Sequence, residues 1–149
     1  MKKIYPIILG LILCLFIAGC SVVGNVGSPA VTPPAKPESG KATVVGRVIS
    51  SKDGSPYVDT LVRLAEVYRE GDKGAYALDQ AFSPGAKTDA NGYFIFENIT
   101  AREYVLVIGD VMKDYKIYPD SQGKPKVWTA EPDKVLDMGI IKTDLVLEK

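Results

Sequence analysis

The stretch Thr88-Asp89-Ala90-Asn91-Gly92-Tyr93-Phe94-Ile95-Phe96 constrains the fold more than any other. Asn-Gly supplies two residues that accept positive φ, which is the chemistry of a tight hairpin turn. Four large apolar residues in a row follow it and read as a strand buried on both faces. A strand of that kind needs partners, so the rest of the chain is read for them.

Candidates are plentiful. Ala42 to Ile49 is β-branched and strand-like, and Lys52 to Pro56 carries turn residues. Thr60 to Tyr68 has no Gly or Pro against a helix, and Glu66 with Arg69 sits at a helical spacing. Val62 and Leu64 alternate with Arg63, however, and the neighbours are strands, so a strand is favoured. Residues 69–85 form a polar insertion with a short strand expected at Ala75 to Phe82. Asn98-Ile99-Thr100 is read as a turn, and Glu103 to Ile108 as a strand with alternating faces, broken by Gly109-Asp110. Short strands are expected at Tyr115 to Tyr118 and Lys126 to Thr129. Val135 to Leu147 closes the series, with Gly139 marking a bend or bulge. About seven short strands with turn signals between them predict an all-β chain forming a single antiparallel β-sandwich.

The amino terminus has a different character. Met1-Lys2-Lys3 is basic, Ile4 to Ala18 is almost wholly apolar, and the composition changes abruptly after Gly19-Cys20. This is the layout of a signal peptide, and the apolar run is short of the roughly 20 residues that a spanning helix needs. Ile17-Ala18-Gly19-Cys20 resembles the lipobox of bacterial lipoproteins, with Ile where Leu is commoner. The resemblance implies cleavage between Gly19 and Cys20 and a diacylglycerol on the Cys20 thiol. Ser21 to Gly40 holds Pro29, Pro33, Pro34 and Pro37 among small residues and reads as a disordered tether. At about 3.1 Å per extended residue it reaches roughly 60 Å. The expected organisation is thus a signal at 1–19, lipidated Cys20 and a flexible tether at 20–41, and a folded domain at 42–149.

Within that domain Gly46-Arg47-Val48, Gly54-Ser55-Pro56, Val62-Arg63-Leu64, Thr88 to Phe94, Phe96 to Ile99 and Tyr104-Val105-Leu106 resemble the carboxypeptidase regulatory-like domain. Asp137 to Ile140 resembles its final strand, while Ala101-Arg102-Glu103 stands where that family usually has Pro-Gly. The resemblance implies a transthyretin-like, or prealbumin-like, sandwich. It implies no peptidase activity, since fold membership does not transfer function.

Composition narrows the chemistry. The chain has 18 basic and 18 acidic residues and no His. Losing Lys2 and Lys3 with the signal leaves two acids in excess, which favours neither nucleic acid nor a polybasic membrane contact. Without His there is no Ser-His-Asp or Cys-His system, and Cys14 would leave with the signal while Cys20 carries lipid. No cofactor is expected. Asp89 and Asn91 supply the start of a calcium loop, but such a loop needs several more oxygen ligands and ends in a bidentate acid. A satisfied turn is the favoured reading there. Trp128, Tyr115 and Tyr118 are the aromatics singled out as ligand-binding candidates, because exposed aromatics stack on sugars or anchor a partner. The expected role is a non-enzymatic envelope lipoprotein, anchored extracytoplasmically in the cell or outer membrane, with a binding or structural module. The alternative is a carbohydrate- or peptide-binding accessory subunit of an envelope transport or polysaccharide system.

Overall fold

The computed structural model describes residues 34–71 and 73–146. Gly19, Cys20 and the rest of the expected signal lie outside them. Nine strands follow in order: β1 (Lys41–Ser50), β2 (Leu61–Glu70), β3 (Lys73–Ala77), β4 (Gly85–Lys87), β5 (Tyr93–Thr100), β6 (Glu103–Gly109), β7 (Tyr115–Ile117), β8 (Val127–Thr129) and β9 (Val135–Thr143). The described residues contain no helix. The segment expected at Thr60 to Tyr68 is a strand, Leu61–Glu70, as the alternation of Val62 and Leu64 with Arg63 predicts.

The strands form two sheets. The first has three, in the order β5-β1-β9. The second is built on the β2–β6 pair. β3 and β4 lie end to end along one side of β2, against Glu66–Glu70 and Leu61–Arg63 respectively. β7 and β8 do the same along β6, against Val107–Gly109 and Glu103–Val105. All pairings are antiparallel except β1–β9, which is parallel. Gly139, at φ 71°, falls where the β1–β9 register shifts, and its amide donates to Asp137 Oδ1 at 2.7 Å. The bulge expected there is present.

The main core lies between the sheets. Alternate residues of each strand enter it: Val44 and Val48 from β1, Val62 and Leu64 from β2, Phe94 and Phe96 from β5, Tyr104, Leu106 and Ile108 from β6, and Met138 and Ile141 from β9. Gly46 also points inward, and a Cβ there would lie 2.6 Å from the Phe94 ring. The bare backbone gives that ring its place. A second, smaller cluster covers the outer face of the β2–β6 sheet. Ala65, Val105 and Val107 form it, with Val67, Leu78, Val111 and Ile117 packed around them.

Several local expectations change, beginning with the strand expected at Ala75 to Phe82, which is instead Lys73–Ala77. β5 is not buried on both faces: it is an edge strand with only its inner residues covered, and Ile95 is 40% exposed. β6, expected to alternate, is buried from Tyr104 to Gly109, because the outer cluster covers its second face. Asn98-Ile99-Thr100 does not turn the chain. These residues belong to β5, where Asn98 at φ 54° sits in a bulge opposite the shift between Ala42 and Val44.

The Asn91-Gly92 turn also differs from expectation. β4 belongs to one sheet and β5 to the other, so this turn passes between sheets and does not close a hairpin. Asp89 N–H donates to the Tyr93 carbonyl at 2.8 Å, and Gly92 N–H donates to the Asp89 carbonyl at 3.0 Å. Only Gly92 has positive φ, at 82°, and a Cβ there would fall on the Val48 carbonyl oxygen. The same carbonyl-lined gap requires glycine for room as well as for conformation.

The chain enters the domain before β1. Pro37 is already buried, Glu38 N–H donates to Asn98 Oδ1, and Gly40 N–H donates to Asp133 Oδ1. β1 thus starts from a fixed point beside the β8–β9 turn.

Candidate functional site

On one flank of the sandwich, the segment joining β7 to β8 faces the edge strand β9. That segment is a small hairpin of its own. Pro119 and Pro125 form an isolated antiparallel bridge, and Lys126 N–H donates to the Tyr118 carbonyl at 2.9 Å. Its tip is tied by one carboxylate: Asp120 Oδ1 accepts from Gln122 N–H at 2.8 Å and from Lys124 N–H at 3.0 Å. Proline at two positions and a capped tip leave this wall few conformations to lose on binding.

Between the hairpin and β9 lies a cleft of about 590 Å³, lined by Tyr118, Pro119, Asp120, Ser121, Lys126 and Lys142. It is a shallow cleft open to solvent, not an enclosed cavity. Tyr118 is half-buried and packs on Trp128, with ring centroids 5.7 Å apart and planes 30° apart. Trp128 is itself a core residue, 8% exposed. It acts as a floor that holds Tyr118 in place. Lys126 Nζ lies 4.8 Å above the Trp128 ring centroid, close enough for a cation–π contact.

The three aromatics singled out from sequence are therefore divided. Tyr118 and Trp128 come together. Tyr115 does not join them, because Tyr118 packs toward the inner core while Ile117, and Tyr115 two residues before it, belong to the opposite face of β7. Tyr115 is 48% exposed on that outer face.

Sequence reasoning missed Lys126 and Lys142. The first had a signal, since Lys126 and Trp128 are two apart in an extended segment and share a face. The second had none, because only the tertiary fold brings β9 to the hairpin. Among the described residues neither lysine takes part in an ion pair, whereas Lys116 is paired with Asp144, and Lys134 with Glu131. The cleft is thus lined by two lysines against one acidic residue, whose Oδ1 is engaged by amides of the hairpin.

The flank at β5 is different in charge. A smaller cleft of about 390 Å³ is lined there by Glu66, Glu97, Phe82, Ile95, Tyr104 and their neighbours. Glu66 is engaged by Arg102 and by the Tyr68 hydroxyl.

Asp89 and Asn91 stand where the turn requires them. Asp89 Oδ1 accepts from the amides of Asn91 and Tyr93, each at 2.8 Å. Among the described residues no group of three or more His, Cys, Asp or Glu is placed to hold a metal. Among the described residues the one strongly shifted carboxylate is Asp53, held down at about 2 by the Ser50 and Ser55 hydroxyls and the Ser55 amide in an exposed turn. Its causes are those of a satisfied turn.

No family model and no curated protein matches the chain. Among solved structures, it is similar to a Pseudomonas aeruginosa protein provisionally described as carbohydrate-binding. The two share 18% identity over 73% of this chain and 92% of the other, with a TM-score of 0.45. It is also similar to the major pilin subunit of Bacillus cereus, at 11% identity over 72% of this chain and 30% of the other, TM-score 0.42. A third is a DUF3823 family protein of Bacteroides uniformis, at 16% identity over 70% and 43%, TM-score 0.40. The chain spans less than half the length of the last two.

Proposed function

We propose that this chain is a bacterial envelope lipoprotein, anchored extracytoplasmically through lipid on Cys20, that presents a non-catalytic, carboxypeptidase regulatory-like β-sandwich as a binding or structural module. The observation that carries the reading is Ile17-Ala18-Gly19-Cys20 at the end of a short apolar run, followed by a Pro-rich stretch and then a compact all-β domain. Two acyl chains hold a protein stably at a membrane where one gives marginal binding. The lack of any His supports a non-enzymatic role, because it removes the commonest general base. A lipid at one end and a rigid sandwich at the other suit a protein that displays a surface.

The test is fractionation of cells producing the full chain, with intact mass of the product. Wild-type protein should be recovered with membranes and carry the mass of added acyl groups. Cys20→Ala should be soluble or keep its signal. A Cys20→Ala protein that is both processed and fully membrane-bound would sink the lipid-anchor reading.

The second reading, an accessory subunit that binds carbohydrate or peptide, is favoured by the cleft at Tyr118. It combines an aromatic ring fixed by a second ring with two lysines that form no ion pair among the described residues, on a wall braced by two prolines.

A further inference from the structure

Building on the carbohydrate-binding form of the reading above, we infer that the cleft between the Tyr118–Lys126 hairpin and β9 takes an acidic saccharide. A sugar ring packs against Tyr118, and its anionic substituent is held between Lys126 and Lys142.

Three observations converge on this ligand class. Tyr118 is held against Trp128, so it presents a fixed aromatic surface, and aromatic side chains offer large contact area at little entropic cost. Two lysines from different elements line the cleft, Lys126 from the hairpin and Lys142 from β9. An anion between them neutralises charge that no carboxylate of the described residues neutralises in an ion pair. The remaining lining groups are small or polar: Pro119, the Ser121 hydroxyl and Asp120. A neutral sugar would gain no charge attraction from the two lysines, and a plain apolar ligand would leave the polar rim unpaired. The anionic group itself is a carboxylate or a phosphate carried on the sugar, since either suits two lysines. Lysine binds such groups as a point charge without requiring a planar fork.

The Asp120 carboxylate limits affinity and adds selectivity. It lies in the same lining, but two backbone amides hold its Oδ1. A ligand whose charge lies toward Lys142 and away from the hairpin tip therefore meets the less opposed cation. Binding should weaken with ionic strength, as expected for exposed charges.

The experiment is titration of the full chain at low salt with trigalacturonate, with maltotriose as its neutral counterpart and with inorganic phosphate. Calorimetry is read beside the fluorescence of Trp128, the sole tryptophan. Trigalacturonate should bind and perturb Trp128, and maltotriose should bind at least about tenfold more weakly. Lys126→Gln and Lys142→Gln should each lower trigalacturonate affinity about tenfold, the size of one lost charge-assisted contact. Lys142→Gln is a surface change that should leave the melting temperature nearly fixed, Lys126→Gln should lower it slightly through the lost contact over Trp128, and Lys73→Gln, on β3 at the far edge of its sheet, should change nothing. Equal binding of maltotriose, or full affinity in both lysine variants, would overturn the acidic assignment while leaving a saccharide-binding module standing. Phosphate binding as tightly as trigalacturonate would overturn the saccharide part. Silence with all three probes would remove the site altogether, and the lipid-anchor reading would still stand or fall on Cys20→Ala.

Discussion

β5 and β6 follow each other in the chain, and both are rich in apolar residues, yet they live in different surroundings. β5 is the edge of a three-stranded sheet whose outer face meets solvent, so Phe94, Phe96 and Ile99 are buried while Ile95 is not. β6 lies between β2 and the β7–β8 rank, and its outer residues Val105 and Val107 are covered by the second cluster. The cover comes from segments that contain few apolar residues. Leu78 follows β3, and Val111 follows β6. Those segments are shaped by their own acids: Asp79 Oδ1 accepts from Ala81 and Phe82 amides, and Asp110 Oδ1 from the Met112 amide. Arg63 reaches from the outer face of β2 to the Gln80 carbonyl at 2.9 Å and pins the first segment down. The apolar content of a strand determines that it is a strand. The number of buried faces depends on what neighbouring loops can lay over it.

That difference can be tested by truncation, read as chemical denaturation. Leu106→Ala, on the inner face of β6, should cost about 3 kcal/mol, the usual toll of a large-to-small change in a tight core. Val105→Ala points to the other face of the same strand and should cost about 1.5 kcal/mol for two buried methyl groups. A loss there as small as that of a surface change would break the comparison, because it would mean the outer cluster is not a core.

Tyr104 gives a gentler test that links the two strands, since its hydroxyl donates to the Thr100 carbonyl at the end of β5, at 2.7 Å. Burial first, with the Glu66 charge second, pushes its hydroxyl up to about 12 from an ordinary value of 10.0. The folded state therefore keeps this proton where the unfolded chain begins to lose it. The stability it contributes is complete below pH 10 and is lost as pH rises from 10 through 12. Tyr104→Phe should cost about 1 kcal/mol at neutral pH for the lost hydrogen bond. It should also flatten the alkaline decline relative to wild type, measured by melting temperature across that window. Tyr57 is raised too, mainly by burial, so some decline persists. The smallest effect belongs to Ile95→Ala on the open face of β5, within about 0.5 kcal/mol. A loss like that of Val105→Ala would show that something covers β5 in solution.

Most of the fold is legible in the sequence through alternation and turn chemistry. Val62-Arg63-Leu64 betrays β2, and Gly139 betrays the β9 bulge. The errors arise where one local signal has two tertiary meanings. Asn98 has the chemistry of a turn, but a positive φ also serves a bulge inside a continuous strand. Asn91-Gly92 marks a tight reversal, and nothing local says whether the strands on either side share a sheet. β4, with the sequence Gly-Ala-Lys, has no strand signal and forms because β2 leaves that edge unpaired. The cleft was half legible: Tyr118 and Trp128 are visible as aromatics, but they meet because each is bonded to β6, at Leu106 and at Tyr104. Lys142 reaches the cleft only through the pairing of β9 with β1.

That last pairing also governs the order of events during folding. β1 is the middle strand of its sheet, and its two neighbours come from far along the chain: Lys41 pairs with Thr100, and Thr43 with Val135. A ribosome delivers β1 well before β9, so one whole side of β1 stays unclaimed until the intervening strands have been made. Contacts of such wide separation close slowly, and an unclaimed strand edge invites the wrong partner. The bulge at Gly139 then acts as a register lock for the late arrival, since only one alignment of β9 places its extra residue opposite Gly46.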